Sequence, residues 1–173
     1  MEKQVMSPAM KGMLISLALI VIQVAIILTG QEANKSLGSI SIAVLIGGII
    51  WACLSFSKQK DGNVTFGDVF SHGFKTSALV AALFGLWTAL SLTIIFPEVF
   101  EHMMEIQRVE MLKKGMSDDQ VENAMKMAHK MGIPMGTIII VIMDLVLGAV
   151  GALIGAAIAK KNPNPVFPEQ LGN

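Results

Sequence analysis

Four apolar stretches, residues 12–30, 37–56, 76–96 and 134–159, contain no lysine or arginine. Each is close to the roughly 20 residues that a helix needs to cross about 30 Å of hydrocarbon at 1.5 Å per residue. Charge collects between them. Only 15% of the 173 residues are charged and 53% are apolar, against about 25% charged in ordinary soluble domains. A soluble chain would spread its charge along every surface helix, so this pattern names lipid as the solvent. Backbone in lipid must satisfy its own hydrogen bonds, which makes the stretches helices. The fold expected is all-α: an integral membrane four-helix bundle, one membrane domain over residues 1–173. The lipid bilayer is its first partner. A net charge of zero gives no attraction to nucleic acid. The single cysteine, Cys53, excludes an internal disulfide. Lys3 and Lys11 ahead of the first run resemble the start of a signal peptide. Met13–Leu28 is long for a signal core, however, and no A-x-A-like site follows, so the run reads as a retained helix.

The connections carry the local punctuation. Asp61-Gly62-Asn63 is turn chemistry. Thr65 with Asp68 forms a capping box, so a helix starts there and runs into span three. On it Phe66, Phe70 and Phe74 form one stripe, while Asp68, His72 and Lys75 form another, the pattern of a juxtamembrane amphipathic helix at the interface. Residues 97–133 read as an extramembrane helical hairpin. Pro97 opens its first helix, Val99, Met103, Ile106 and Val109 give an apolar stripe, and Gly115 ends it. Ser117 to Gln120 caps the second helix, with Val121, Ala124, Met125 and Ala128 on one face and Gly132-Ile133-Pro134 as its expected break. The tail, residues 160–173, turns Pro-rich and extended after its two lysines.

Four spans place the N-terminus, the 57–75 loop and the tail on one side, with Lys3, Lys11, Lys58, Lys60, Lys75, Lys160 and Lys161. The other side holds Lys35, Arg108, Lys113, Lys114, Lys126 and Lys130, so the count, seven against six, decides nothing. Placement does: six of those seven lysines sit close to a span end, where the positive-inside bias acts. Both termini are therefore expected in the cytoplasm.

Several short motifs also carry a resemblance. Thr65-Phe-Gly-Asp-Val-Phe-Ser-His-Gly-Phe-Lys75, the Phe96-Pro-Glu98 step, the acidic Met-rich hairpin and the closing Ile158-Ala-Lys-Lys-Asn-Pro163 resemble bacterial membrane proteins grouped as domain of unknown function 4199. The resemblance covers essentially the whole chain. It implies a four-helix inner-membrane protein and brings no activity, cofactor or catalytic residue.

No familiar catalytic signature is present: there is no G-x-S-x-G, H-E-x-x-H, G-x-x-x-x-G-K or G-x-G-x-x-G. The sharpest single feature is Asp144, ten residues into span four and so roughly 15 Å deep. An intramembrane carboxylate is expensive and is a functional candidate by default. With no basic residue in any span it is best accommodated as the neutral acid, hydrogen-bonded to Gln23, Thr88 or Ser91 as interhelical glue. Gly148, Gly151 and Gly155 continue its helical face and would let another helix, a second copy or a membrane-protein partner approach closely. Eight of the 13 methionines lie between Met103 and Met135. Soft Met125, Met127, His129 and Met131 would suit Cu(I), but residues two apart on a helix point about 200° apart, which favours an apolar packing face. No cofactor is called for. Asp68 and His72 read as a hydrogen-bonded pair on a solvated face rather than half a metal site. Three function classes follow: a non-enzymatic accessory or interaction module, ahead of a transporter of small solutes, protons or ions built on Asp144, and an enzyme on a lipid-linked substrate. The last would need a polar cleft beside Asp68 and His72.

Overall fold

A computed structural model describes residues 6–31 and 35–161. The expected Pro-rich tail lies outside the described residues from Asn162 onward. The elements are α1 (Pro8–Leu28), α2 (Lys35–Gln59), α3 (Phe66–Leu90) with a π-helical turn (Ser91–Ile95), α4 (Pro97–Lys113) and α5 (Asp118–Ile158). No strand occurs among the described residues. Four helices are long and apolar enough to cross a membrane: α1, α2, α3 with its π turn, and α5.

The punctuation residues act locally. Ser7 Oγ accepts from Met10 N and Pro8 occupies the first turn, so α1 starts four residues before the apolar run. Asp61 and Gly62 take φ of 50° and 78° to reverse the chain between α2 and α3. The Thr65–Asp68 box is formed, and α3 continues without interruption into the apolar stretch. The Phe66, Phe70 and Phe74 rings stack at 6.4 and 5.9 Å. At the far end Pro97 has no N–H and drives Phe96 out of helical conformation, to φ −134° and ψ 58°. Phe96 N instead reaches back to Ser91 O at 2.7 Å, which closes the π turn.

The break expected at Gly132-Ile133-Pro134 is absent. The Ser117–Gln120 box starts α5, which runs 41 residues through Pro134, about 60 Å at the helical rise. An interior proline costs about 3 kcal/mol, and packing on both sides of it offsets that. Before it, Phe100 lies against Gly132 and Glu101 pairs with His129 at 3.6 Å. After it, Gly85 of α3 admits Val141 and Thr137. The α4 stripe also differs from expectation. Met104 and Val99 are the buried residues of α4, whereas Met103, Ile106 and Val109 are exposed.

The bundle is inverted relative to a soluble one. Ile138, Ile139, Ile142, Met143, Val146, Leu153 and Ile158 of α5 are about half exposed or more. The interior holds Ser16, Thr76, Ser77, Thr88 and Ser91 beside Ala81, Ala152 and Ala156. They share that interior with Leu19, Leu45, Ile49 and Val80, and large apolar side chains facing outward suit lipid, where close van der Waals packing of small residues drives association. The helix α3 touches α1, α2 and α5, and α2 touches α1 and α5.

Candidate functional site

Starting α1 at Pro8 has one large consequence. Lys11 is in the helix, in phase with Ile15 and Leu19, and it turns inward with 0% of its surface exposed. Its Nζ donates to Ala52 O of α2 at 3.1 Å and lies 3.2 Å from Nε2 of His72 on α3. Phe56 stacks on the His72 ring at 4.2 Å and an interplanar angle of 15°. Three helices thus meet around one cation. An ammonium has three N–H donors and no acceptor capacity, so His72 must offer a lone pair at Nε2. The imidazole proton then sits on Nδ1. No carboxylate pairs with Lys11 among the described residues, whose ion pairs are Arg108–Glu105, Lys126–Glu122 and His129–Glu101.

A cleft of about 460 Å³ opens beside this pair, lined by Phe56, Lys60, Asn63, Asp68, Ser71, His72 and Lys75. The Asp68 carboxylate is already engaged: Oδ2 accepts from Thr65 N at 2.9 Å and Thr65 Oγ1 at 2.8 Å. The expected Asp68–His72 pair is therefore not formed, and His72, 6% exposed, does not lie on a solvated face. Helix α3 turns by 100° per residue, and packing on α1 and α2 buries His72 while Asp68 stays at the cap. Lys75 is exposed at the cleft wall. Behind the pair, the buried Cys53 thiol points to Val69 O at 3.7 Å and Ala152 O at 3.9 Å.

Sequence reasoning treated Lys11 as a boundary flank and so missed it. The available signal was Ser7-Pro8, an N-cap and first-turn pair that places Lys11 one turn inside the helix.

The other expected cluster is not assembled around Asp144. Asp144 Oδ2 is buried with no hydrogen-bond partner, and what Ser77 Oγ meets at 3.5 Å is its backbone carbonyl. Thr88 Oγ1 bonds Phe84 O of its own helix at 2.9 Å. Ser91 Oγ and Gln23 Oε1 are buried without partners. Gly12 meets Thr76 and Leu79, and that parallel register sets Gln23 level with the Trp87–Ser91 turn. Asp144 lies between the Gly148–Ser77 and Val141–Gly85 contacts, level with Ala81 and about two turns away. Helical spacing fixes a face, while depth depends on how neighbours slide.

The glycine face of α5 is filled from within the chain. A Cβ at Gly148 would fall 1.7 Å from Ser77 Oγ, and one at Gly155 2.6 Å from Cys53 Cβ. Gly151 meets Ile46 O and Ile49 at 3.2 Å. Within the chain, α2 and α3 cover this face. Of the methionine group, Met125 and His129 line a groove with α4, while Met127 is 70% and Met131 43% exposed on other faces of α5. The helix holds them apart.

No curated protein and no solved structure matches the chain. A known family does match, described as Protein of unknown function (DUF4199), over residues 11–161. That range runs from the buried lysine of α1 to the end of the described chain, so the protein belongs to this family.

Proposed function

We propose that this is a multi-pass protein of the bacterial inner membrane, with both termini cytoplasmic, that acts as a non-enzymatic binding module through its Lys11–His72 end. One observation carries the reading: a fully buried ammonium faces a backbone carbonyl and a neutral imidazole, with no carboxylate paired to it among the described residues. A buried charge without a counter-ion costs several kcal/mol. A chain that keeps one behind the His72 wall of an open cleft is built to receive the missing charge from something it binds. The apolar stretch of α3, the stacked Phe66–Phe74 stripe and the boundary lysines support an interfacial position for the cleft. In that setting α4 and the first third of α5 project on the periplasmic side.

The test is purification of the tagged full-length protein in mild detergent, with mass spectrometry of whatever accompanies it, for wild type and Lys11→Met. The reading expects a stoichiometric companion that the variant loses. No companion, or one held equally by both proteins, would sink it.

A second reading, a pathway for protons, ions or small solutes at Asp144, draws on the buried Asp144 Oδ2 and Thr137 Oγ1. Both lack partners and lie two turns apart on one face of α5. Reconstituted protein that moves protons or monovalent ions, and fails to with Asp144→Asn, would favour it.

A further inference from the structure

We propose that the cleft beside His72 holds one phosphate-type oxyanion, carried on a lipid headgroup or as a free phosphate. This rests on the binding-module reading and adds its ligand class.

The cleft has an excess of positive charge. Lys60, Lys75 and His72 line it, and the buried Lys11 charge lies behind His72. Against the three lysines there is one carboxylate, Asp68, and its Oδ2 is already bonded to Thr65. None of the three lysines forms an ion pair among the described residues.

The donors fit a tetrahedral oxyanion better than a planar carboxylate. A carboxylate is matched by the two parallel N–H groups of an arginine, and no arginine lines this cleft. Here the donors come from different elements: His72 and Ser71 from α3, Lys60 from just past α2, and Asn63 from the turn. Lysine ammoniums act as point charges on phosphate oxygens. The His72 donor is fixed in advance, because Lys11 occupies Nε2 and leaves the proton on Nδ1. Phe56 and Pro8 supply an apolar wall on the bundle side. Basic pockets between membrane helices on the cytoplasmic side are where anionic headgroups bind. The volume, about 460 Å³, falls in the range of small-ligand sites.

The experiment uses the full-length protein, delipidated in a neutral maltoside. Calorimetric titrations are run with dihexanoyl-phosphatidylglycerol, dihexanoyl-phosphatidylcholine and inorganic phosphate. Wild type should bind either the phosphatidylglycerol or the phosphate saturably at one site, and phosphatidylcholine more weakly. Tight phosphatidylglycerol binding with weak phosphate binding assigns the site to a lipid headgroup. The converse assigns it to a soluble phosphate. The double variant Lys60→Gln/Lys75→Gln should lose about tenfold or more in affinity, as the removal of charge-assisted hydrogen bonds implies. Both side chains are exposed, so this variant keeps the fold even if Lys11→Met does not. No saturable binding of either anion, or double-variant affinity within about twofold of wild type, overturns the inference. If either occurs while Lys11 still governs what co-purifies, the binding module stands and only its ligand class is wrong.

Discussion

Lys11 Nζ lies 3.2 Å from His72 Nε2, and the two residues are 61 positions apart in the chain. This contact joins the first turn of α1 to the first turns of α3, and the charge it holds has an energetic sign that can be measured. In Lys11→Met the buried charge disappears, a gain of several kcal/mol at most. His72 Nε2 loses its donor, a cost of about 1–3 kcal/mol. Thermal unfolding in detergent should therefore show the variant as stable as wild type or more so. A marked drop would mean that the lysine is an architectural clasp rather than part of a site.

Gly148 and Ser77 give a sharper packing test. A Cβ at Gly148 would meet Ser77 Cβ at 2.5 Å as well as its hydroxyl, so rotating the serine does not relieve the clash. Gly148→Ala should destabilise by about 1–3 kcal/mol, the usual cost of overpacking. Adding Ser77→Gly should recover part of the loss. Additive losses in the double variant would show that α3 and α5 do not meet there.

At Asp144 the absence of a bond to Oδ2 reverses the expectation drawn from spacing alone. Asp144→Leu should cost less than about 1 kcal/mol, since no measured membrane hydrogen bond of about 0.6–2 kcal/mol is lost. Chemical denaturation in mixed micelles would read this. A loss of 2 kcal/mol or more, roughly the upper end for such bonds, would reveal a partner for the carboxyl.

Orientation is tested with a reporter active only outside the cytoplasm. Fused after Gly115 it should work, and fused after Asn173 it should not. The reverse pattern would invert the protein and place the Lys11–His72 cleft on the outer face.

Much of the architecture could be read from residue order alone. The four apolar runs, the Thr65–Asp68 and Ser117–Gln120 boxes and the Gly115 stop all appear where expected, because each depends on neighbours within a turn. Lys11 was harder to place. Its burial follows from where Ser7 starts the helix and from which faces of α2 and α3 it meets. The same holds for His72, where Asp68 at i−4 is the partner visible in the sequence and Lys11 the actual one. Pro134 shows the limit in the other direction. Its local penalty is real, but Phe100 at Gly132 and Gly85 at Val141 hold the helix on either side.

The continuity of α5 through Pro134 has a mechanical consequence. A rod of 41 residues, about 60 Å long, is held along its inner part by Ser77, Ile49 and Cys53 against its glycines, and along its outer part by α4. A torque or push applied at the Ser117 end therefore has no joint in which to dissipate except the proline. What Pro134 does not absorb is delivered two dozen residues away, where Ala156 and Ala159 pack into the core beside Cys53. The Ser117 end and the Ala159 end are thus opposite ends of one lever.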